Sequence, residues 1–137
     1  MKNNNIEHIF WGVGWGGLTA GAAIGIETGI SSWFGLGGGL ISMLFSPVIE
    51  ETLKYLPVLS KKISRFWFVL GTAFVFALIE FAVLYGKIIV QYGVPHLGLR
   101  IIPHFIFAGL FLLGAKKHFL SGYLLALLAH YIWNFLA

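Results

Sequence analysis

A helix needs roughly 20 apolar residues to cross a hydrocarbon core about 30 Å thick, and runs of that length follow one another along almost the whole chain. Only short stretches carrying glycine, proline or lysine interrupt them. With 58% hydrophobic and 10% charged residues, the chain has too little polar surface to clothe a soluble domain. Five spans can be placed, at 9–30, 33–57, 66–85, 97–115 and 119–136. These runs are apolar on every side instead of alternating, which argues against a β-barrel. The expectation is an all-α polytopic transmembrane helical bundle of about five spans, forming one integral membrane domain over residues 1–137.

The formal charge of +4 would suggest a nucleic-acid partner in a soluble protein, but here the basic residues fall in short loops and read as topology signals. Lys61, Lys62 and Arg65 follow the second span and Lys116 and Lys117 the fourth, on the same side as Lys2. The other side carries Lys87 and Arg100. The positive-inside rule then predicts a multi-pass protein of the cell membrane with its amino terminus in the cytoplasm and no nucleic-acid partner. Cysteine is absent, which removes disulfides, thiolate nucleophiles and thiolate metal ligands.

Several features have structural readings. Gly17, Gly21, Gly25 and Gly29 recur every fourth residue and predict a face of span one that packs closely on another helix. Glu27, near the outer end of that span, is expected to reach the interface and to carry no catalysis. Gly37, Gly38 and Gly39 open the second span without the strand and lysine that a phosphate-binding loop requires. Trp11, Trp15, Trp33 and Trp67 are expected in the interfacial aromatic belts. Pro47, Pro57, Pro95 and Pro103 either kink helices or mark span ends.

The residues that composition does not explain are the ionisable ones inside the spans: Glu50, Glu51 and Lys54, Glu80, His104 and His130. Each charge at mid-bilayer costs at least ~2.5–3.5 kcal/mol on insertion scales, so such residues need partners. Counting helical rise from the basic loops places Glu50 at ~16 Å, Glu80 at ~22 Å, His104 at ~18 Å and His130 at ~20 Å, a slab of ~6 Å shared by four helices. Glu50 and Lys54 are four apart and share a face, as do His130 and Asn134. Glu51 points about 100° away from Glu50, so both face inward only on a central or kinked helix.

A carboxylate shielded from water is a suitable general base, a histidine with an amide can donate to an oxyanion, and two histidines with a carboxylate (Glu80, His104, His130) can hold zinc. Both schemes describe amide hydrolysis. Convergent acidic and histidine side chains also make proton relays, so a proton-coupled transporter or channel is the alternative, although no inverted repeat is visible.

Pro47-Val48-Ile49-Glu50-Glu51-Thr52-Leu53-Lys54 resembles the EExxK motif of PrsW-type intramembrane proteases, and Phe76-Ala77-Leu78-Ile79-Glu80 resembles their FxxxE motif. Arg100-Ile101-Ile102-Pro103-His104, with Gly109 beyond it, is similar to the family's histidine motif, and His130-Tyr131-Ile132-Trp133-Asn134 to its HxxxN ending. The resemblance runs from Pro47 onward and marks a minimal five-span form, distantly related to the CAAX prenyl-protein endopeptidases. Phe81 stands where an asparagine is common in the family.

The resemblance implies proteolysis of a membrane-embedded or membrane-proximal peptide segment within the bilayer. Glu50 becomes the base that activates water, with His130 and Asn134 as oxyanion donors. Glu51, Glu80 and His104 complete the site, and Lys54 and Arg100 support it. The cofactor is either zinc or none, since a metal-free glutamate mechanism uses the same residues. A non-catalytic relative acting in binding or self-protection is a further alternative. Neither substrate identity nor oligomeric state is readable.

Overall fold

A computed structural model describes residues 5–35, 38–59, 65–92 and 95–136, without the side chains of 38, 41–42, 84–92 and 95–100. The topology signals Lys2, Lys61 and Lys62, and the side chains of Lys87 and Arg100, therefore lie outside what is described. The elements are all helical: α1 (Asn5–Phe34), α2 (Gly38–Leu44), α3 (Ser46–Tyr55) with a 3-10 turn over Leu56–Leu59, α4 (Arg65–Tyr92), α5 (Pro95–Ala115) and α6 (Phe119–Leu136). The molecule is an all-α helical bundle.

Neighbouring contacts fix the direction of each pass. Gly12 and Gly16 of α1 meet Phe68 and Thr72 of α4 in the same order, so these helices are parallel. Trp15 meets Leu53, while Tyr131 meets Leu44 and Thr52 meets Tyr123, so the α2–α3 segment runs back between α1 and α6. Arg65 bonds the Ala115 carbonyl and Phe74 meets Phe105, which makes α5 antiparallel to α4. Phe111 packs on Phe119 around the tight turn at Lys116, Lys117 and His118, so α6 reverses again. Among the described residues, α1, α2–α3, α4, α5 and α6 thus alternate in direction along the chain.

Three of these helices are long and apolar enough to cross a membrane: Asn5–Phe34, the Arg65–Val83 part of α4, and Phe119–Leu136. The surface is correspondingly apolar, with Phe10, Leu18, Phe74, Ile106, Leu113 and Leu128 turned outward, while Glu50, Glu51, Lys54, His104 and His130 are buried. A water-soluble protein does not expose apolar surface on that scale. The arrangement suits a molecule whose solvent is lipid.

The second pass differs from the continuous helix expected over 33–57. Residues 33 and 34 complete α1, and the helix that follows breaks at Phe45. Pro47 lies at the start of α3, where its missing N–H and its ring oppose continuation of α2. Pro57 then converts the exit into the 3-10 turn. What remains between the two prolines is a rod of 10 residues, about 15 Å long, too short to cross a bilayer alone. It is clamped from both sides: the Trp15 indole donates to the Leu53 carbonyl at 2.8 Å, and Thr52 and Tyr123 share a hydroxyl hydrogen bond at 2.9 Å. Trp15 is therefore a strut between α1 and α3.

The close-packing face of α1 also lies elsewhere than expected. Its buried residues are Gly12, Gly16, Thr19, Ala20 and Ala23. A Cβ on Gly12 would strike the Phe68 carbonyl, and one on Gly16 would lie 2.7 Å from the Thr72 carbonyl oxygen. Opposite them, Gly71 packs against the Ile9 carbonyl, and the Thr72 hydroxyl donates to the Gly12 carbonyl at 3.1 Å. Gly21, Gly25 and Gly29 are exposed with open space beside them. Gly16→Leu should consequently lose about 1–3 kcal/mol or more to backbone overlap, whereas Gly21→Leu should be neutral. Unfolding titrations in mixed detergent check both, and equal effects would refute this assignment of the face.

Candidate functional site

The site is built on α3. Its central position answers the question that adjacent glutamates raise, because helices on several sides cover both faces: Glu51 is 0% exposed and Glu50 5%. Lys54 reaches back one turn to both, with Nζ 3.1 Å from Glu50 Oε2 and 2.9 Å from Glu51 Oε1. Its third proton goes to His104 Nδ1 at 3.2 Å. An ammonium has three donors, and here each has an acceptor. The Phe76 ring lies 4.1 Å from the same nitrogen and adds a cation–π contact.

These contacts settle the histidine protons. Because Lys54 can only donate, His104 Nδ1 must accept, which leaves the ring proton on Nε2. That nitrogen is 2.7 Å from Glu80 Oε2 on α4. On α6, His130 Nδ1 is 2.8 Å from Glu51 Oε1, an acceptor-only atom, so Nδ1 carries the proton and Nε2 faces away from Glu51. The network Glu80–His104–Lys54–Glu51–His130, with Glu50 on Lys54, thereby joins α3, α4, α5 and α6. Pro103, inside α5 beside His104, deletes one backbone hydrogen bond where that helix meets the cluster.

Aromatic residues hold the rings in place. Phe107 stacks on His130 with centroids 4.7 Å apart and lies edge-on to His104 at 5.9 Å, and Phe76 closes the other side of His104 at 5.7 Å. Phe76 and Glu80 are one turn apart on α4, so the FxxxE spacing has a physical meaning here. The glutamate meets His104, and the phenylalanine supports both His104 and Lys54.

Of the residues singled out in the sequence, Glu50, Glu51, Lys54, Glu80, His104 and His130 are brought together. Asn134 lies one turn beyond His130 on α6 and is half-buried. Sequence reasoning missed the roles of Phe107 and Trp15, for which aromatic residues in an aromatic-rich chain offer no signal. Glu27, expected near the outer end of span one, packs on α3. That carboxylate is half-buried beside Ser46 at the start of α3, with Oε1 sealed from solvent and without a hydrogen-bond partner among the described residues.

Two sets of side chains offer metal-ligating atoms within 4.8 Å of one another: Glu50, Glu80 and His104, and Glu50, Glu51 and His130. The expected trio of Glu80, His104 and His130 is instead divided between the two sets, with His104 Nε2 on Glu80 and His130 Nδ1 on Glu51. One imidazole with two carboxylates is a zinc-type donor set. The fit fails at Lys54, which already bonds Glu50, Glu51 and His104 Nδ1. A dication bound to these groups would stand roughly 4 Å from the ammonium, and at an effective dielectric of ~20 that repulsion is about 8 kcal/mol. As arranged, Lys54 is itself the cation of the site. No protein-family model, curated protein or solved structure matches the chain.

Proposed function

We propose that the chain is an intramembrane endopeptidase of the PrsW type. It crosses the cell membrane five times with its amino terminus in the cytoplasm and cleaves a membrane-embedded or membrane-proximal peptide segment. The five alternating segments and the exposed Lys116 and Lys117 at the α5–α6 turn support this topology. The observation that carries the reading is the placement of Glu50. It is buried, held by Lys54, and lies within 4.8 Å of ligating atoms of His130 and Glu51 on one side and of Glu80 and His104 on the other. Two hydrogen bonds of ~2.8 Å meeting at one water span about 4.6 Å, so a single water fits between such groups.

Glu50 takes a proton from that water as its oxygen attacks the scissile carbonyl carbon. Lys54 holds the carboxylate in place through Oε2. The tetrahedral oxyanion is received by α6, where Asn134 supplies an amide N–H, and His130, braced by Glu51, donates when it is protonated. Collapse of the intermediate breaks the C–N bond, and the proton on Glu50 passes to the leaving nitrogen. Atoms balance with one water consumed per peptide bond. Burial of the whole network requires an unwound substrate segment, since a helical peptide has its carbonyls bonded internally.

The test is cleavage of a library of transmembrane peptides by purified protein in liposomes. Absence of cleavage across the library would refute the reading, and proton flux without cleavage would move the chain to the transport class. Because Lys54 supplies the positive charge, chelation with a strong zinc ligand should leave cleavage unchanged, with no stoichiometric metal in elemental analysis. Loss of activity on chelation, restored by zinc, would overturn the metal-free mechanism.

A further inference from the structure

Glu27 is a carboxylate inside the bundle that this reaction leaves unused. Its Oε1 is sealed from solvent and makes no hydrogen bond among the described residues, and the carboxylate lies beside Ser46. Ser46 is itself buried, at 3% exposure. Glu50 follows four residues later on the same face of α3. A line of buried polar groups therefore runs from α1, through the first turn of α3, to the proposed base.

Depth gives the line a direction. The 30 residues of α1 measure about 45 Å, some 15 Å more than the hydrocarbon core, so both ends overhang. With the overhang shared equally, Glu27, about 10 Å from Phe34, sits ~3 Å inside the boundary on the side where α1 ends. Glu50 is roughly 6 Å deeper, one turn beyond Ser46. Hydrolysis consumes water at Glu50, yet the outer surface of the bundle is apolar. A water in transit needs two to four polar partners, and Glu27 Oε1, the Ser46 hydroxyl and Glu50 supply them in sequence.

We propose that Glu27 and Ser46 line the path by which water reaches Glu50 from the membrane face where α1 ends. The purpose of the path rests on the proteolytic reading, but its existence can be tested without any cleavage. The chain has no cysteine, so single cysteines can be introduced cleanly. Glu27→Cys, Ser46→Cys and Val48→Cys would be reconstituted in liposomes and exposed to a cationic, membrane-impermeant methanethiosulfonate. Val48 is the control, since it lies on the same short helix but is 41% exposed on the outer surface.

Thiols react as thiolates, which form in water and not in lipid, so the cysteines at 27 and 46 should label at least about tenfold faster than that at 48. They should do so only from the face where α1 ends, and Glu27→Leu should slow labelling of Ser46→Cys. The two positions are on different helices, so a local folding defect at one leaves the other informative. Labelling at neither position above the Val48 control overturns the path, and so does labelling at 27 alone, which confines water to the interface. Fast labelling in a protein that cleaves nothing would keep the path and remove the protease assignment.

Discussion

Glu50→Gln should reduce the turnover number for peptide cleavage roughly 100- to 10,000-fold, the range that loss of a general base commands, with little change in KM. The substitution is chosen because its structural cost is small. A glutamine carbonyl still accepts from Lys54 at the position of Oε2, 3.1 Å away, so the network around Glu51 and His104 keeps its cation. What is lost is the capacity to take a proton from water. Glu80→Gln is the necessary companion, because Glu80 also lies within a water's reach of Glu50 and His104. A larger loss from Glu80→Gln, with Glu50→Gln near wild type, would move the base to α4. Cleavage at the wild-type rate by both variants would refute the site. His130→Ala should cost activity as well, but it also leaves Glu51 without a partner and so reads stability and chemistry together.

The convergence of the cluster was legible because it depends on little more than helical rise. Glu50, Glu80, His104 and His130 could be counted inward from basic loops, and a common depth survives errors of several ångströms. That Lys54 partners Glu50 followed from a four-residue spacing. That it also bonds Glu51 and His104 did not follow, since the bond to His104 links positions 50 residues apart and depends on how α5 docks. The break at Phe45 was open for a related reason. Pro47 permits either a kinked continuous helix or a fresh start, and tertiary contacts at Leu44 and Thr52 decide the outcome.

The glycine face illustrates a different limit. Helix α1 carries glycines on neighbouring faces about 100° apart, and the longer periodic series was the wrong one. The choice was made by α4, whose Gly71 packs on the Ile9–Val13 backbone, whose Thr72 hydroxyl bonds the Gly12 carbonyl and whose Phe68 and Thr72 backbones press on Gly12 and Gly16. A carboxylate near a span end reads as interfacial, and the burial of Glu27 Oε1 against α3 carries no sequence signal.

Lys54→Met should be the most destabilising single change in the site, because the lysine is 1% exposed and bonds two buried glutamates. Removing one member of a buried ionic group strands the others, at a typical cost of about 3–5 kcal/mol. Methionine fills most of the same volume and keeps contact with Phe76, so little of the effect would be packing. Two companion measurements separate charge from shape. Adding Glu51→Gln to Lys54→Met should recover part of the loss, since one stranded carboxylate is then neutral, and the two single changes should be strongly non-additive. Lowering the pH should likewise stabilise Lys54→Met relative to wild type, because protonating a carboxyl removes the unpaired charge. Zinc should remain unable to bind the wild-type protein but should stabilise Lys54→Met against unfolding. Removing the ammonium leaves Glu50, Glu51 and His130 as an unopposed donor set. A Lys54→Met protein as stable as wild type would mean that the ammonium is not the cation that holds these carboxylates together.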